Sequence, residues 1–161
     1  MTAFIGASLT SPMSNDQRLA SGKGFGLNDR YTDHQGNEFV FVQANGAITG
    51  AGYTCILDEA GQAAMVSTSN DIPGARLGVP LEAFADNDFG FVQIYGNCGA
   101  IRGAATAATD VLLVLTTTAG VLDDAATGVR AEGIVLSATV GAGEANVAGF
   151  LQYPKVGETI A

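Results

Sequence analysis

From residue 38 onward, apolar and polar positions alternate over short runs, which is typical of β-strands. Each run is rich in β-branched or aromatic residues and ends near Gly, Pro, Asn or Asp. Helical periodicity never continues for more than about two turns. The runs predicted to be strands are 38–44, 53–57, 63–67, 76–81, 89–95, 111–117, 132–139 and 146–153. This spacing predicts an all-β protein, a small β-sandwich or barrel of the β-tulip-like kind.

The first predicted strand carries apolar residues on both faces. Phe41 and Gln43 point to one side, while Val40 and Val42 point to the other, because successive side chains of a strand alternate. One face is expected to fill a core. The other is expected to meet a neighbouring sheet or subunit.

A short pattern recurs along the chain and indicates an internal repeat. Phe41-Val42-Gln43 recurs in similar form at 91–93 and at 150–152. In the same order along the chain, residues 46–51 resemble 99–104, and Gly78-Val79 resembles Gly133-Ile134. We interpret them as two related strand units, which pack together because neither buries its apolar face alone. Coincidence in a chain rich in Gly and Ala is the alternative.

Residues 1–37 lack any sustained period. Ser11-Pro12 and several glycines interrupt helices and strands alike, although one helical turn is possible near residues 16–20. The sequence therefore predicts two parts, an extended N-terminal arm at 1–37 and a β-domain at 38–161.

Charge is sparse and uneven. Charged residues make up 14% of the chain, against about 25% in ordinary domains. The formal net charge is −9, and all of it falls on residues 38–161, because the charges of the arm cancel. An acidic chain with few Lys and Arg residues argues against a nucleic-acid partner. The longest apolar run, Val111 to Leu115, is too short to cross a membrane.

The sequence gives little support for a catalytic nucleophile, a metal site or a phosphate-binding loop. His34 stands beside Asp33 in the arm, away from any nucleophile motif, and is expected to be a solvated loop residue. The glycines of 21–26 lack the spacing of a P-loop. Acidic pairs at 58–59, 86–88 and 123–124 are explained best by turns, and weak calcium binding at 86–88 is the alternative. We therefore predict that the protein is not an enzyme and that it has no catalytic residue, no cofactor and no metal site.

The two cysteines favour a protein that folds in a reducing compartment. Cys55 and Cys98 form no CxxC pair and lack the histidines of a zinc site. Two free thiols in a protein assembled in a reducing cytosol are the favoured interpretation, and a disulfide is the other. The N-terminus shows no basic flank followed by a long apolar run, so no signal peptide is expected.

The chain resembles small virion proteins of tailed bacteriophages, the capsid decoration or cement proteins. The resemblance covers roughly residues 31–154. The residues that carry it are Tyr31, 36–42, 75–80, 89–96, 108–109, 118–123, 133–136 and 150–154.

The resemblance implies a structural role. Decoration proteins of this kind bind the outside of an expanded capsid at three-fold or quasi-three-fold sites, commonly as homotrimers, and stabilise the shell. The expected partners are the major capsid protein and the protein itself, without nucleic acid or membrane. The expected location is the outer capsid surface of the virion, after synthesis in the host cytoplasm.

The arm is the expected docking element, because it keeps apolar residues that it cannot bury alone. An arm can add a strand to a sheet edge through backbone bonds. The residues predicted to contact the capsid or a neighbouring subunit are Phe4, Ile5, Leu9, Arg18, Lys23, Phe25, Leu27 and Arg30. Two other functions stay open at this point: a different phage virion or cell-surface structural module, such as a tail or fibre component, and a glycan-binding β-domain.

Overall fold

The computed structural model describes residues 9–20 and 25–161. These residues form one short helix and ten strands, which confirms the all-β prediction. The elements are α1 Asn15–Ala20, β1 Arg30–Thr32, β2 Glu38–Ala44, β3 Cys55–Leu57, β4 Gln62–Met65, β5 Arg76–Pro80, β6 Phe89–Gly103, β7 Leu113–Leu115, β8 Leu122–Asp123, β9 Gly128–Leu136 and β10 Ala145–Ile160.

The strands close into two rings that share the long strand β6. Ring one runs β2, β4, β3, β5 and residues 89–95 of β6, which pair back with β2. Ring two runs from the rest of β6 through β8, β7, β9 and β10, which pairs back with β6. Closure leaves few unpaired strand edges, and this suits a protein built from short strands.

The two rings have the same topology. In each, the first and third strands are parallel: Gln43 of β2 lies beside Gln62 of β4, and Gly103 of β6 lies beside Leu122 of β8. The remaining pairs within each ring are antiparallel and follow the same order. The predicted pair of related strand units is therefore present, as β2–β6 and β6–β10.

The sequence echoes match this repeat only in part. Residues 91–93 and 150–152 lie in the corresponding strands β6 and β10, and Gly78 and Gly133 lie in β5 and β9. The echo between 41–43 and 91–93 is different, because Phe41 lies directly opposite Phe91 within ring one. Partner strands of one ring share a pattern of burial, so similarity between them does not identify equivalent positions.

Each ring has its own core. Ring one encloses side chains such as Val40, Val42, Leu57 and Val92. Ring two encloses a larger set, which includes Ile101, Leu113, Leu122, Leu136 and Leu151. Leu77 and Val79 of β5 point away from ring one and join the core of ring two. The two rings thus pack on each other and form one body.

The outer face of ring one is covered by the N-terminal arm. Phe39, Phe41, Phe89 and Phe91 form a third cluster, and the partly buried residues that pack on it include four from the arm. These four are Leu9, Met13, Phe25 and Tyr31. The second apolar face of β2, expected to meet a neighbouring sheet or subunit, is therefore covered by this chain itself.

Backbone hydrogen bonds hold the arm in place. The N–H of Met13 donates to the carbonyl of Phe89 at 2.8 Å, and Phe89 returns the bond at 2.8 Å. Asn28 and Phe41 are joined by a bond of 2.9 Å. Between these points, α1 begins at a capping box, in which Ser14 and Gln17 bond each other's backbone N–H. The helical turn expected near residues 16–20 is confirmed.

Strand β6 bends where it passes from ring one to ring two. Gly96 adopts a φ of 97° at this point. The amide of the buried Gln93 donates to the carbonyls of Tyr95 at 3.0 Å and Asn97 at 2.9 Å. One side chain thus bonds two carbonyls that flank the bend.

A buried hydroxyl gives a first testable prediction. Thr54 is fully buried, and within the described residues its Oγ1 has no hydrogen-bond partner. Thr54→Val keeps the shape and removes this unsatisfied group, so we expect the free energy of unfolding to rise by about 1 kcal/mol. Urea denaturation measures it.

Thr109→Val is the matched control for this change. The hydroxyl of Thr109 donates to the carbonyl of Leu136 at 2.8 Å, so the same substitution there is expected to cost about 1 kcal/mol. A loss of stability in both variants would contradict the prediction for Thr54.

Candidate docking surface

Titratable side chains do not converge on a reaction centre in the described part of the chain. Residues 9–20 and 25–161 contain no group of three or more His, Cys, Asp or Glu side chains placed to hold a metal ion. His34 is exposed, as expected of a loop residue, and sits in a turn. Its neighbour Asp33 accepts bonds from the N–H groups of Gln35 at 2.8 Å and Asn37 at 2.9 Å.

One residue of each acidic pair accepts a backbone hydrogen bond, within its own turn for Asp58 and across to another loop for Asp86 and Asp124. Asp58 accepts from the N–H of Gln62 at 2.7 Å, and Asp86 accepts from Gly46 at 2.8 Å. Asp124 accepts from the N–H of Ala108 at 3.1 Å. These carboxylates fix the connections between strands, which accounts for their positions in the sequence.

Both cysteines are free and buried. Burial raises the pKa of Cys98 to about 11 and raises the pKa of Cys55 further. The thiolate is the reactive form of cysteine, so these side chains behave as small apolar residues near neutral pH. Free thiols, the interpretation favoured by the sequence, are what the structure contains.

The buried thiols give a second testable prediction. In the folded protein at pH 8, neither cysteine is expected to react with an aromatic disulfide reagent within minutes, whereas both react at once in urea. The folded pKa of Cys98 is raised, so its contribution to stability is full below about pH 9 and is lost as the pH rises toward about 11. Fast reaction of the native protein would contradict this burial.

A groove of about 620 Å³ lies on the outside of ring one. Ile56, Ala64, Ile72 and Pro73 supply its apolar lining, and Arg76 lies at its rim. The guanidinium of Arg76 is already engaged, because it donates to the carbonyl of Asp58 at 2.8 Å and to Asn28 Oδ1 at 2.8 Å. The groove is an apolar surface feature, and its polar rim is tied into the fold.

The outer face of ring two is made by β6, β10 and β9, with β10 in the middle. Exposed or half-exposed positions alternate there with core residues. The register places Tyr95 opposite Gln152, and Phe150 between Asn97 and Val135. Four more exposed positions of this face are Gly99 of β6, Ala148 of β10, Gly133 of β9 and Ser137 just after β9. We call these nine residues the β10 outer face. None of the nine is charged.

An aromatic group stands at one end of the β10 outer face. The ring of Tyr95 packs edge-on against Phe150, with centroids 5.6 Å apart, and stacks on Tyr153 at 4.9 Å. Tyr153 is fixed by a hydrogen bond from its hydroxyl to Glu38 Oε1 at 2.7 Å. That bond raises the pKa of Tyr153, with burial adding to the effect. Phe150 and Tyr153 remain 40% and 49% exposed.

The arm residues predicted to make contacts fall into three groups. Phe4, Ile5 and Lys23 lie outside the described residues. Leu9, Phe25 and Arg18 turn inward: the first two pack on the phenylalanine cluster, and the Arg18 guanidinium lies 4.7 Å from the ring centre of Phe89. Leu27 and Arg30 face outward. Contact of these residues with a partner stays a prediction.

Sequence reasoning did not single out the β10 outer face. Phe150, Tyr95 and Tyr153 entered only as members of predicted strands, of the repeated pattern or of the resemblance. A usable signal was present in residues 146–152, since none of them is charged on either face of the strand.

Comparisons with known proteins add no relative. The chain matches no protein-family model, no curated protein and no solved structure. The helix found in the part of the chain that the structure describes is too short to span a membrane.

Proposed function

We propose that this protein is a structural virion protein that binds the outside of an expanded phage capsid and stabilises the shell. It attaches at three-fold or quasi-three-fold sites as a homotrimer, with the major capsid protein as its partner, and it is made in the host cytoplasm. The resemblance to capsid decoration proteins supplies the class of partner. The protein acts by filling and bridging a surface, and it carries out no reaction.

One observation carries the proposal: the arm lies on the outside of the β-domain with one side anchored and the other open. Phe25 and Met13 pack inward on the phenylalanine cluster. Leu19 is 63% exposed, Leu27 is 37% exposed, and the side chain of Arg30 is 56% exposed. Exposed apolar groups beside a cation, on a segment of balanced charge, suit a protein surface as partner.

The test uses the shell itself. The major capsid protein encoded by the same phage is assembled, expanded and mixed with the purified protein, and bound copies are counted after sedimentation. We expect saturation at a number set by the three-fold sites, and little binding to unexpanded shells. The double change Leu19→Asp with Leu27→Asp is expected to weaken binding at least tenfold, because it places charge on the contact.

Ile72→Asp is the control for this experiment. Ile72 is 65% exposed and lies at the groove of ring one, in the loop between β4 and β5. Its substitution is expected to leave shell binding unchanged. If the wild-type protein fails to sediment with expanded shells, the proposed function is wrong.

A glycan-binding role is the second candidate, and the stacked pair Tyr95 and Tyr153 favours it. Exposed aromatic rings can stack on the apolar face of a sugar, and Gln152 and Asn97 beside them supply hydrogen-bonding groups. The chain has no Trp, so its fluorescence comes from tyrosine. A saturable change of that fluorescence on addition of cell-wall oligosaccharides would support this role, and a flat titration would remove it.

A further inference from the structure

The β10 outer face is unusual for this acidic chain because it contains no charged residue. The protein carries a net charge of −9, so two copies repel each other over most relative orientations. The nine residues of the face include no Asp, Glu, Lys or Arg. A contact made through this face therefore brings two acidic bodies together without placing like charges against each other.

The charged residues that border the face are paired within the chain. Lys155 Nζ lies 3.2 Å from Glu132 Oε2, and Arg102 Nε lies 2.7 Å from Glu144 Oε1. Glu38 Oε2 lies 4.0 Å from the guanidinium of Arg30, and its other oxygen accepts the hydroxyl of Tyr153. The border thus carries balanced local charge, and this neutral zone extends the area available for contact.

The shape of the face also favours a protein surface over a small ligand. Phe150 stands in the centre, between Asn97 and Val135 on the flanking strands. Tyr95 packs against it on one side, while Gly99 and Ala148 are small positions of the same face. A broad sheet face with exposed aromatic rings beside small residues, and without an enclosed cavity, is suited to contact with another protein surface.

Backbone strain marks the aromatic end of the face. Tyr153 has a φ of 47°, which bulky residues seldom adopt. The ring is held there by Tyr95 on one side and by the bond to Glu38. Strain of this kind persists where the surrounding structure fixes it, and it tends to occur at functional surfaces.

We propose that the β10 outer face is the surface through which copies of this protein bind one another, with Phe150 at the centre of the contact. The proposal rests on the homotrimer of the proposed function and places this face of each copy at the three-fold axis, where the three Phe150 side chains meet. The neutral face and its paired border select a second copy, because the rest of the acidic body disfavours self-contact. The nine residues form the middle of an interface, whose full extent in stable complexes is about 800 Å² per partner.

The test places a carboxylate on the face without disturbing the fold. Gly99 lies in β6 with an ordinary φ, and a Cβ built on it meets no atom within 4 Å. Gly99→Asp is therefore compatible with the backbone and puts one negative charge per copy into the contact. Phe150→Asp is the second variant. Gly141→Asp is the matched control, since Gly141 is equally open and lies in the loop before β10.

Sedimentation equilibrium and light scattering of the full chain give the readout, with circular dichroism to verify folding. We expect the wild-type protein and Gly141→Asp to associate with a micromolar or tighter dissociation constant. Gly99→Asp and Phe150→Asp are expected to raise that constant at least tenfold while keeping the β spectrum. Monomeric wild-type protein throughout the micromolar range, or unchanged association of Gly99→Asp, would overturn the inference.

The same experiments distinguish self-association from binding of a different partner to the β10 outer face. If the wild-type protein is monomeric and Gly99→Asp loses binding to expanded shells, the face docks on capsid protein; the inference then fails while the proposed function stands. If a monomer responds to oligosaccharides in tyrosine fluorescence, the face belongs to a glycan and the inference also fails. If the trimer forms through this face yet ignores capsids, the inference holds and the proposed function fails.

Discussion

Replacing Gly96 with alanine is expected to lower the free energy of unfolding by about 3 kcal/mol or more. Gly96 sits at the bend of β6 with a φ of 97°, where L-residues with a Cβ are strained. An added Cβ would also collide with Oδ1 of Asn37. Since domains are stable by only about 5–15 kcal/mol, this single methyl group removes a large share of the total.

Asn37 cannot easily move aside to relieve this clash. It is buried, its backbone N–H donates to Asp33 Oδ1 at 2.9 Å, and its side-chain amide donates to Asp33 Oδ2 at 2.9 Å. A shift of Asn37 would break these bonds and disturb the start of β2. The strain of Gly96→Ala therefore falls on the joint between the two rings, which share β6.

Gly99→Ala is the control for this prediction. The same methyl group is added three residues later on the same strand, at a position where it meets no atom within 4 Å. Its effect is expected to stay within about 0.5 kcal/mol. Thermal melting separates the two variants, because 3 kcal/mol corresponds to a fall of about 10 °C for a chain of this size. Equal melting temperatures would show that the bend tolerates a side chain.

The strands were readable from the sequence because alternation records burial directly. Strands were predicted at 53–57 and 63–67, and β3 and β4 overlap these ranges and pair antiparallel. The lengths were harder to predict. Val111 and Leu112 were assigned to a strand by their apolar character, yet they are 39% and 61% exposed and precede β7. Apolar character does not by itself fix burial, since folded surfaces also contain many apolar atoms.

What covers the outer face of ring one could not be predicted. The alternation in β2 predicted a second apolar face, but the residues that cover it lie in the irregular arm. Met13 and Phe25 are separated by polar and glycine positions, so no period connects them with the sheet. Such a contact between distant segments is fixed by the fold as a whole, and a local pattern does not record it.

The β10 outer face could not be predicted from the sequence, for a related reason. The net charge was known from the sequence, whereas its spatial distribution depends on strand register. Gly99, Phe150 and Val135 lie on three strands, and a register shift between Val147 and Gly149 sets which of them become neighbours. A displacement of one residue would send each side chain to the opposite face. One sequence without a fold does not determine that register.

Replacing Phe25 with alanine is expected to destabilise the protein by about 2–3 kcal/mol and to expose apolar surface. The ring of Phe25 contacts Phe41 at 5.5 Å and Phe91 at 5.3 Å between centroids, the second edge-on. Full burial of a phenylalanine is worth about 3–5 kcal/mol on truncation to alanine, and Phe25 is only partly buried, so the lower figure applies. Loss of the ring leaves the phenylalanine cluster open to water on that side.

Two measurements check this prediction, a urea denaturation curve and the fluorescence of an apolar dye that binds exposed clusters. Leu27→Ala is the control, because Leu27 lies two residues away and is 37% exposed; its cost is expected to stay near 0.5 kcal/mol. We expect dye binding to rise for Phe25→Ala alone. If Phe25→Ala unfolds like the wild-type protein and binds no dye, Phe25 contributes nothing to the phenylalanine cluster. In that case its ring is free to serve an external partner, and Phe25 returns to the set of residues that contact the capsid.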